Sequence, residues 1–245
     1  MSSTSVSVVS PVSFNDVAAH GAEQYARDGF IVVPGLFSGQ EVLAWKQYAM
    51  DRLRELGKLG EPSGVHVWMH DMLDPTMRQW MADERVLAVL EHLTGPNIEF
   101  LSVKTVFKSR ELTFASPWHQ DWFYWNGSPK ISIWIALDDA TPENGCLKFA
   151  VGSHTRVFEM VQVEDAKGFA NRIRESDLDG LPVVSVPVKR GDAVFFHDLA
   201  LHASHPNTQG VDRWSLISTY RDASVKDDSY VWKGAWVLRG NSVNA

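Results

Sequence analysis

The chain has 245 residues, of which 44% are hydrophobic and 22% are charged, a balance typical of a folded globular protein and not of a disordered one. Its formal net charge of −7 argues against nucleic acid or an anionic membrane as the main partner. The single cysteine, Cys146, excludes an internal disulfide, is typical of a reducing compartment, and is expected to be a small buried hydrophobe.

Composition along the chain indicates whether it carries a targeting signal or a membrane span and how many domains it has. Residues 1–13 are rich in Ser and Val and lack the basic start and apolar stretch of a secretory signal. No apolar run reaches the roughly 20 residues that cross a bilayer. We therefore expect a cytoplasmic protein with one domain over residues 1–245: a flexible tail (1–13), a mostly helical support (14–96) and a β-rich core (97–240).

Helix signals dominate the N-terminal part. Capping residues predict a first helix over 15–27, ended by Asp28-Gly29 before an apolar run. Ser38 and Glu41 form an S-x-x-E capping box that starts a second helix. A third helix is predicted over 83–93. The second helix has one apolar face, made of Val42, Trp45, Ala49, Leu53 and Leu56.

Strand signals dominate the rest of the chain. Six short runs are rich in β-branched and aromatic residues and are bounded by turn residues. Asn144-Gly145 predicts a hairpin between two of them. Helices followed by antiparallel strands indicate a mainly β fold with flanking helices and a double-stranded β-helix (jelly roll, cupin-like) core. The six runs are Ile98–Lys108, Ile131–Leu137, Cys146–Ala150, Val183–Val188, Ala193–His197 and Trp214–Tyr220.

The first candidate metal ligands lie in His119-Gln120-Asp121. In an extended segment, residues two apart point to the same side, so His119 and Asp121 could hold one ion while Gln120 faces away. Two imidazoles and one carboxylate on one face are the arrangement of non-haem iron(II) oxygenases, although zinc accepts similar ligands. A third ligand must come from far along the chain, and the candidates are His154, His197, His202 and His205.

Arg213 is the first candidate for binding a co-substrate. It follows His202 by eleven residues and starts the strand-like run RWSLISTY. A buried arginine forms a bidentate pair with a carboxylate, such as the distal carboxylate of 2-oxoglutarate. Taken in isolation, however, a surface salt bridge is the commoner use of an arginine.

From Trp118 to Tyr220 the chain resembles the phytanoyl-CoA dioxygenase family. The matching motifs are WHQD, ISIWIALDDATPENGCLKFAVGSH and KRGDAVFFHDLALHASHPNTQGVDRWSLISTY, and the earlier stretch YARDGFIVVPGLFS is also similar to that family's opening. The resemblance implies an iron(II)- and 2-oxoglutarate-dependent dioxygenase that consumes O2. It places the iron on His119, Asp121 and His202.

The same resemblance assigns the co-substrate site. It places 2-oxoglutarate on Arg213, with help from Ser204 and from a strand lysine matched by Lys104, although Lys108 is near and faces the same way. His197 and His205 then become supporting or packing residues. His154, in a recurrent Gly-Ser-His turn, is expected to be structural.

Aromatic residues surround the metal motif and suggest a substrate pocket. The candidates are Trp118, Trp122, Tyr124 and Trp125, with Phe123 beside them; rigid apolar walls exclude water, and core packing is the alternative use. Arg221 could hold a substrate anion, but a solvated strand end is the favoured interpretation. Because related halogenases lack the carboxylate ligand, the presence of Asp121 favours hydroxylation, although desaturation, epoxidation and ring formation use the same chemistry.

The sequence therefore predicts a hydroxylase of a small metabolite: an amino acid, a natural product or a carrier-bound acyl group. One alternative is a zinc- or manganese-dependent cupin-like isomerase or hydrolase, which would leave Arg213 without a role. Another is a non-catalytic small-molecule binding protein of the same fold, against which the complete ligand set argues. The sequence makes no prediction about oligomeric state.

Overall fold

Antiparallel strands form the framework of the protein in the computed structural model, which describes residues 9–60, 64–162, 171–229, 231–232 and 234–244. The strands are β1 (Phe30–Val33), β2 (Val65–Met69), β3 (Ile98–Lys108), β4 (Lys130–Ala136), β5 (Leu147–Ala150), β6 (Val161–Gln162), β7 (Asn171–Arg172), β8 (Val183–Val186), β9 (Ala193–His197), β10 (His202–Ser204), β11 (Arg213–Asp222) and β12 (Trp236–Arg239).

Two sheets face each other and form a jelly roll, as the sequence predicted. The larger sheet has the order β1-β9-β4-β11-β3-β12, and β2 also pairs with β3. The smaller sheet has the order β10-β5-β8, and β6 with β7 makes a separate ribbon. An apolar cluster that includes Trp134 and Phe196 of the larger sheet and Phe149 and Val184 of the smaller one fills the space between them.

Four helices cover the outer face of the larger sheet: α1 (Ala22–Asp28), α2 (Gly39–Glu55), α3 (Pro75–Met81) and α4 (Glu84–Thr94). A second apolar cluster lies between helices and sheet, with Val42 and Leu90 packed in the same cluster as Ile133 of β4. Because strand residues alternate between faces, Ile133 points to the helices while Ser132 and Trp134 point into the roll. Among the described residues, no helix is long and apolar enough to cross a membrane.

The three predicted helices are confirmed, with two differences. The Ser38–Glu41 capping box is present in both directions, but Leu56 is 47% exposed and does not join the buried face, because it is the residue after the last helical turn. The first helix begins with a π-helical stretch at Val17–Gly21. Helix α3 was not predicted, although Asp74 caps it and Pro75 occupies its first turn, a common helix start.

The N-terminal region contributes strands as well as helices. β1 and β2 lie within residues 14–96 and belong to the larger sheet. Residues 1–8 of the predicted flexible tail lie outside the described residues. Beyond them, Val12 is buried and its amide donates to the Val32 carbonyl of β1, so residues 9–13 pack against the sheet.

The predicted hairpin at Asn144-Gly145 is wrong. The amides of both residues do donate to the Thr141 carbonyl and make a tight turn. The flanking strands, however, lie in different sheets: β4 pairs with β11 and β9, and β5 pairs with β10 and β8. The turn therefore carries the chain across the roll from one sheet to the other.

A buried ion-pair network joins the C-terminal segment to the roll. Arg221 Nε donates to Glu99 Oε2 at 2.6 Å, and Arg221 Nη1 donates to Asp227. Lys130 Nζ donates to the other oxygen of Asp227 at 2.9 Å. Arg221 is only 4% exposed, so the expected solvated strand end is wrong. Its guanidinium is occupied by two carboxylates and does not line the cavity around the metal motif.

Removing Arg221 should therefore be costly. In Arg221→Met, Glu99 keeps a buried charge without its cation, and we expect a loss of about 3–5 kcal/mol in the free energy of unfolding, measured by urea denaturation. Arg239→Met is the matched control, because Arg239 pairs with the more exposed Glu84 and Glu91 and should cost about 1 kcal/mol or less. Equal losses in the two variants would contradict the role given to the network.

Candidate metal centre and ligand pocket

Two backbone hydrogen bonds place His119 beside His202. The His119 amide donates to the His202 carbonyl at 3.0 Å, and the His202 amide donates to the His119 carbonyl at 3.1 Å. This isolated antiparallel bridge adds His119 to the edge of the smaller sheet beside β10. The two imidazole centroids are 4.2 Å apart as a result. Residues 83 positions apart in the chain thus present neighbouring side chains.

Both imidazoles are held in one tautomer by the backbone. His119 Nδ1 lies 2.8 Å from the Pro117 carbonyl, and His202 Nδ1 lies 2.8 Å from the Ala200 carbonyl. A carbonyl only accepts hydrogen bonds, so each Nδ1 carries the proton and each Nε2 presents a lone pair. Backbone partners of this kind orient the histidine ligands of metal sites.

Asp121 completes a three-residue cluster. Its Oδ1 lies 3.5 Å from His119 Nε2 and 3.8 Å from His202 Nε2, and one donor atom from each residue lies within 4.8 Å of the others. Asp121 starts a 3-10 helix that directly follows Gln120. Gln120 points away, as predicted, and bonds to the backbone of Arg156, Phe158 and Leu199.

Electrostatics keep this cluster ready for a cation. Burial alone would raise the pKa of Asp121, but the charge of Lys104 and the two imidazoles hold it well below its usual range. Burial and the proximity of His119 lower the pKa of His202 to about 3, so that imidazole is neutral. Two imidazoles and one carboxylate on one face fit a divalent metal of the non-haem iron type.

The three other candidate histidines do not join the cluster. His197 Nδ1 accepts from the Leu199 amide, His205 Nε2 is paired with Ser185 Oγ at 2.8 Å, and His154 contacts the Ala26 carbonyl. Within the described part of the chain, the single group of three or more metal-ligating side chains is His119, Asp121 and His202.

Arg213 lies fully buried in the same cavity. It is 1% exposed, so the surface salt bridge considered above does not occur. Its Nη1 donates to Ser215 Oγ at 2.8 Å, its guanidinium lies 5.4 Å from the Trp134 ring centre, and its Nε has no hydrogen-bond partner among the described residues. Burial lowers its pKa to about 10, which leaves it charged at neutral pH. A buried cation with an unused donor fits an anionic ligand.

Ser204 and Lys108 stand next to Arg213. Ser204 Oγ accepts from Lys108 Nζ at 2.8 Å and from the Ser116 amide at 3.1 Å, so its own hydroxyl proton is available for a ligand. Lys108 of β3 lies directly opposite Arg213 of β11 in the strand register. Its Nζ has three hydrogen-bond partners, which are Ser204 Oγ and the carbonyls of Phe114 and His205. Lys108 is thus fully engaged within the protein and orients Ser204.

A cavity of about 360 Å³ connects the metal cluster with Arg213. Of the predicted aromatic residues, Tyr124 and Trp125 line it, whereas Trp118 and Trp122 do not. Trp118 packs in a separate apolar cluster. Cys146 is fully buried as expected. The lining also contains residues that the sequence analysis did not single out: Val65, Val67, Met69, Trp134, Phe196, Ile217, Val231 and Trp232.

One of these residues had a usable signal. Ile217 lies four residues after Arg213 on the same strand, so the two-residue period of a strand puts both on one face. The β2 residues gave no comparable indication, because no sequence feature predicted β2 or its pairing with β3. Nor did a motif mark Trp232, which the structure places against Trp125.

Comparisons with known proteins show the family to which the chain is similar. A family model described as Phytanoyl-CoA dioxygenase (PhyH) matches residues 25–214. Ectoine dioxygenase of Stutzerimonas stutzeri (strain A1501) is 26% identical over 234 residues, which cover 83% of this chain and 76% of that protein. The peroxisomal phytanoyl-CoA dioxygenase of Mus musculus is 26% identical over 216 residues, 76% of this chain but only 63% of that enzyme.

A solved structure shows the same similarity in three dimensions. The crystal structure of the epimerase SnoN in complex with Fe3+, alpha ketoglutarate and nogalamycin RO has a TM-score of 0.67 and 25% sequence identity to this chain. The match covers 86% of this chain and 84% of that one. The similarity therefore extends through both the N-terminal helices and the jelly roll.

The buried lysine gives a test in the protein without ligands. Burial, and then the charge of Arg213, lower the pKa of Lys108 to about 6, whereas an unfolded lysine titrates near 10.4. Between these values the unfolded chain binds more protons, so stability should rise with pH. Over pH 6.5–9, wild type should gain up to about 1.4 kcal/mol per pH unit relative to Lys108→Met.

The measurement is the free energy of unfolding in urea at several pH values. The difference in slope between the two proteins is the result, because the loss of hydrogen bonds in Lys108→Met shifts its stability equally at every pH. Parallel pH profiles would contradict the depressed pKa of Lys108.

Proposed function

The chain belongs to the phytanoyl-CoA dioxygenase family of iron(II)- and 2-oxoglutarate-dependent oxygenases, and we propose that it hydroxylates an unactivated C–H bond of a small molecule. One observation carries the proposal. Three metal-ligating atoms and a buried guanidinium with an unused donor line the same cavity. That pairing suits a metal that binds one end of a dianion while the arginine binds the other.

We assign the metal ligands to His119, Asp121 and His202. When bound there, iron(II) and 2-oxoglutarate supply the oxygen-activating chemistry. The protein contributes position, since the carbonyls of Pro117 and Ala200 fix both imidazole rings. The aromatic walls of the cavity keep bulk water from the reacting centre.

The co-substrate carboxylate is assigned to Arg213 and Ser204. Arg213 offers a charged planar group whose Nε is unused, and Ser204 offers its hydroxyl proton. Lys108 acts through Ser204 as a positioning residue. The expected role of Lys104 at this carboxylate is not part of the proposal, because the register of β3 and β11 sets Lys108, and not Lys104, opposite Arg213.

Hydroxylation is the reaction that the ligand set favours. Asp121 fills one metal position and brings a negative charge, which leaves no place for a halide at that position. The balanced reaction consumes one O2 and one 2-oxoglutarate. It releases succinate and carbon dioxide and leaves one oxygen atom in the hydroxylated product. The relatives named for ectoine and the structure containing nogalamycin RO support a small-molecule substrate.

A zinc- or manganese-dependent isomerase or hydrolase would use the same three ligands. It would give no purpose to a charged arginine that is 1% exposed, although burying an unpaired charge is costly. A non-catalytic binding protein would not need two histidines locked in the ligating tautomer. Both alternatives are therefore less well supported than the oxygenase.

The metal assignment predicts the effect of single substitutions. His119→Ala, Asp121→Ala and His202→Ala should each weaken metal binding by more than about 100-fold, since changes in groups that merely support a ligand already cost 10- to 100-fold. Succinate formation should be lost as well. Calorimetric titration with Mn²⁺ measures binding, and circular dichroism checks folding. His205→Ala is the matched control; if it loses the metal while His202→Ala keeps it, the third ligand is misassigned.

The co-substrate assignment predicts a specific loss in Arg213→Ala. Removing one partner of a buried charge pair costs about 2–5 kcal/mol, so the Kd for 2-oxoglutarate on the Fe(II)-loaded protein should rise by about 30-fold or more. Arg213→Lys should recover only part, because an ammonium lacks the planar fork. Arg239→Ala, far less buried, is the control. Unchanged 2-oxoglutarate affinity in Arg213→Ala would contradict the assignment.

A further inference from the structure

Lys104 brings a positive charge into the cavity, and none of the described side chains forms an ion pair with it. It lines the same cavity as the metal cluster and is partly buried. Across the described residues, its ammonium makes no hydrogen bond and no ion pair within 4.0 Å. Its charge nevertheless acts on the Asp121 carboxylate. The group is therefore close to the reacting centre but is not tied to any part of the protein.

The position of Lys104 separates it from the Arg213 site. On β3, Lys104 lies opposite Ile217, whereas Lys108 lies opposite Arg213. Four residues of a strand span about 13 Å, so one carboxylate held by Arg213 and Ser204 does not also lie beside the Lys104 backbone. On its other side Lys104 faces Val67 of β2, which is 43% exposed. Lys104 thus stands between two apolar residues, toward the open side of the cavity.

The charges in the cavity do not balance without another anion. In the proposed loaded state, the metal dication and the 2-oxoglutarate dianion cancel, which leaves Asp121 against the two cations Arg213 and Lys104. Among the described lining residues, Asp121 is the single acidic side chain. The lining therefore carries one positive charge in excess, even when Lys108 is neutral. A positive charge in a site that excludes water favours an anionic ligand.

The rest of the wall is apolar around Lys104. Val65, Val67 and Met69 of β2 form one side, and Trp125, Val231 and Trp232 form another. The volume of about 360 Å³ lies at the small end of the roughly 300–1,000 Å³ of ligand pockets, and it must also hold 2-oxoglutarate. These dimensions favour a substrate with a small apolar body.

We propose that Lys104 binds a carboxylate of the substrate, so that the enzyme acts on a small carboxylic acid with an apolar body. This inference rests on the proposed function, because it takes the Arg213 site to be occupied by 2-oxoglutarate. It assigns Lys104 to substrate specificity. The metal and the co-substrate are held by other residues.

The test compares a carboxylate probe with its uncharged analogue. Fe(II)-loaded protein saturated with 2-oxoglutarate is titrated without oxygen with 3-phenylpropanoate and with 3-phenylpropanamide, and binding is followed by tryptophan fluorescence, since Trp125, Trp134 and Trp232 line the cavity. Wild type should bind the acid at least about tenfold more tightly than the amide, as expected for a charge-assisted hydrogen bond. In Lys104→Met this preference should fall to about one.

A control variant tests whether the effect is specific to Lys104. Lys189→Met removes a lysine whose side chain is 78% exposed and should keep the acid preference. An acid preference that persists in Lys104→Met, its absence from wild type, or its loss in Lys189→Met would overturn the inference.

The Kd for 2-oxoglutarate, measured in wild type, Lys104→Met and Arg213→Ala, distinguishes a failure of the Lys104 assignment from a failure of the proposed function. A rise in Lys104→Met as large as that in Arg213→Ala would assign Lys104 to the co-substrate and overturn the inference. A wild-type protein that binds no 2-oxoglutarate would instead contradict the proposed function.

Discussion

The paired backbone hydrogen bonds between His119 and His202 are the constraint on which the candidate centre depends. They join a segment that precedes a 3-10 helix to the first residue of β10, and they bring together ligands that are distant in sequence. Everything else in the centre is arranged around this pair. Asp121 follows from the turn into the helix, and the rings of Phe149 and Phe196 flank the His202 imidazole. The metal site is thus built on strand pairing and not on flexible loops, which favours a fixed geometry.

The charged residues of β3 and β11 follow one another in a fixed sequence along the roll. At one end Arg213 and Lys108 face each other, apolar residues and Lys104 follow, and Glu99 faces Arg221 at the other end. The two ends differ in how their charges are satisfied. Arg221 and Lys130 are neutralised by carboxylates of the protein, whereas Arg213 Nε has no hydrogen-bond partner among the described residues. The two buried arginines of β11 thus differ in their partners and not in their burial.

Local patterns predicted six of the twelve strands described and three of the four α-helices, together with the motif that contains the first two candidate metal ligands. Without the family resemblance, the sequence left four histidines as candidates for the third ligand, because the pairing of His119 with His202 is long-range. The same limit explains the error at Asn144-Gly145: turn chemistry acts over a few residues and does not decide which sheet receives the next strand. It also explains Arg221, whose partner Glu99 lies 122 residues away, and Lys108, whose importance depends on strand register with Arg213.

The central claim is that the metal cluster and Arg213 work together in an oxygen-consuming reaction. The most direct measurement follows O2 uptake and succinate release by the purified protein loaded with iron(II) or with zinc, with and without 2-oxoglutarate. The account predicts that iron(II) and 2-oxoglutarate together give equal amounts of O2 consumed and succinate formed, and that zinc gives neither. Binding of 2-oxoglutarate without O2 uptake or succinate release in the iron(II) protein, across a broad set of small carboxylic acids, would contradict it.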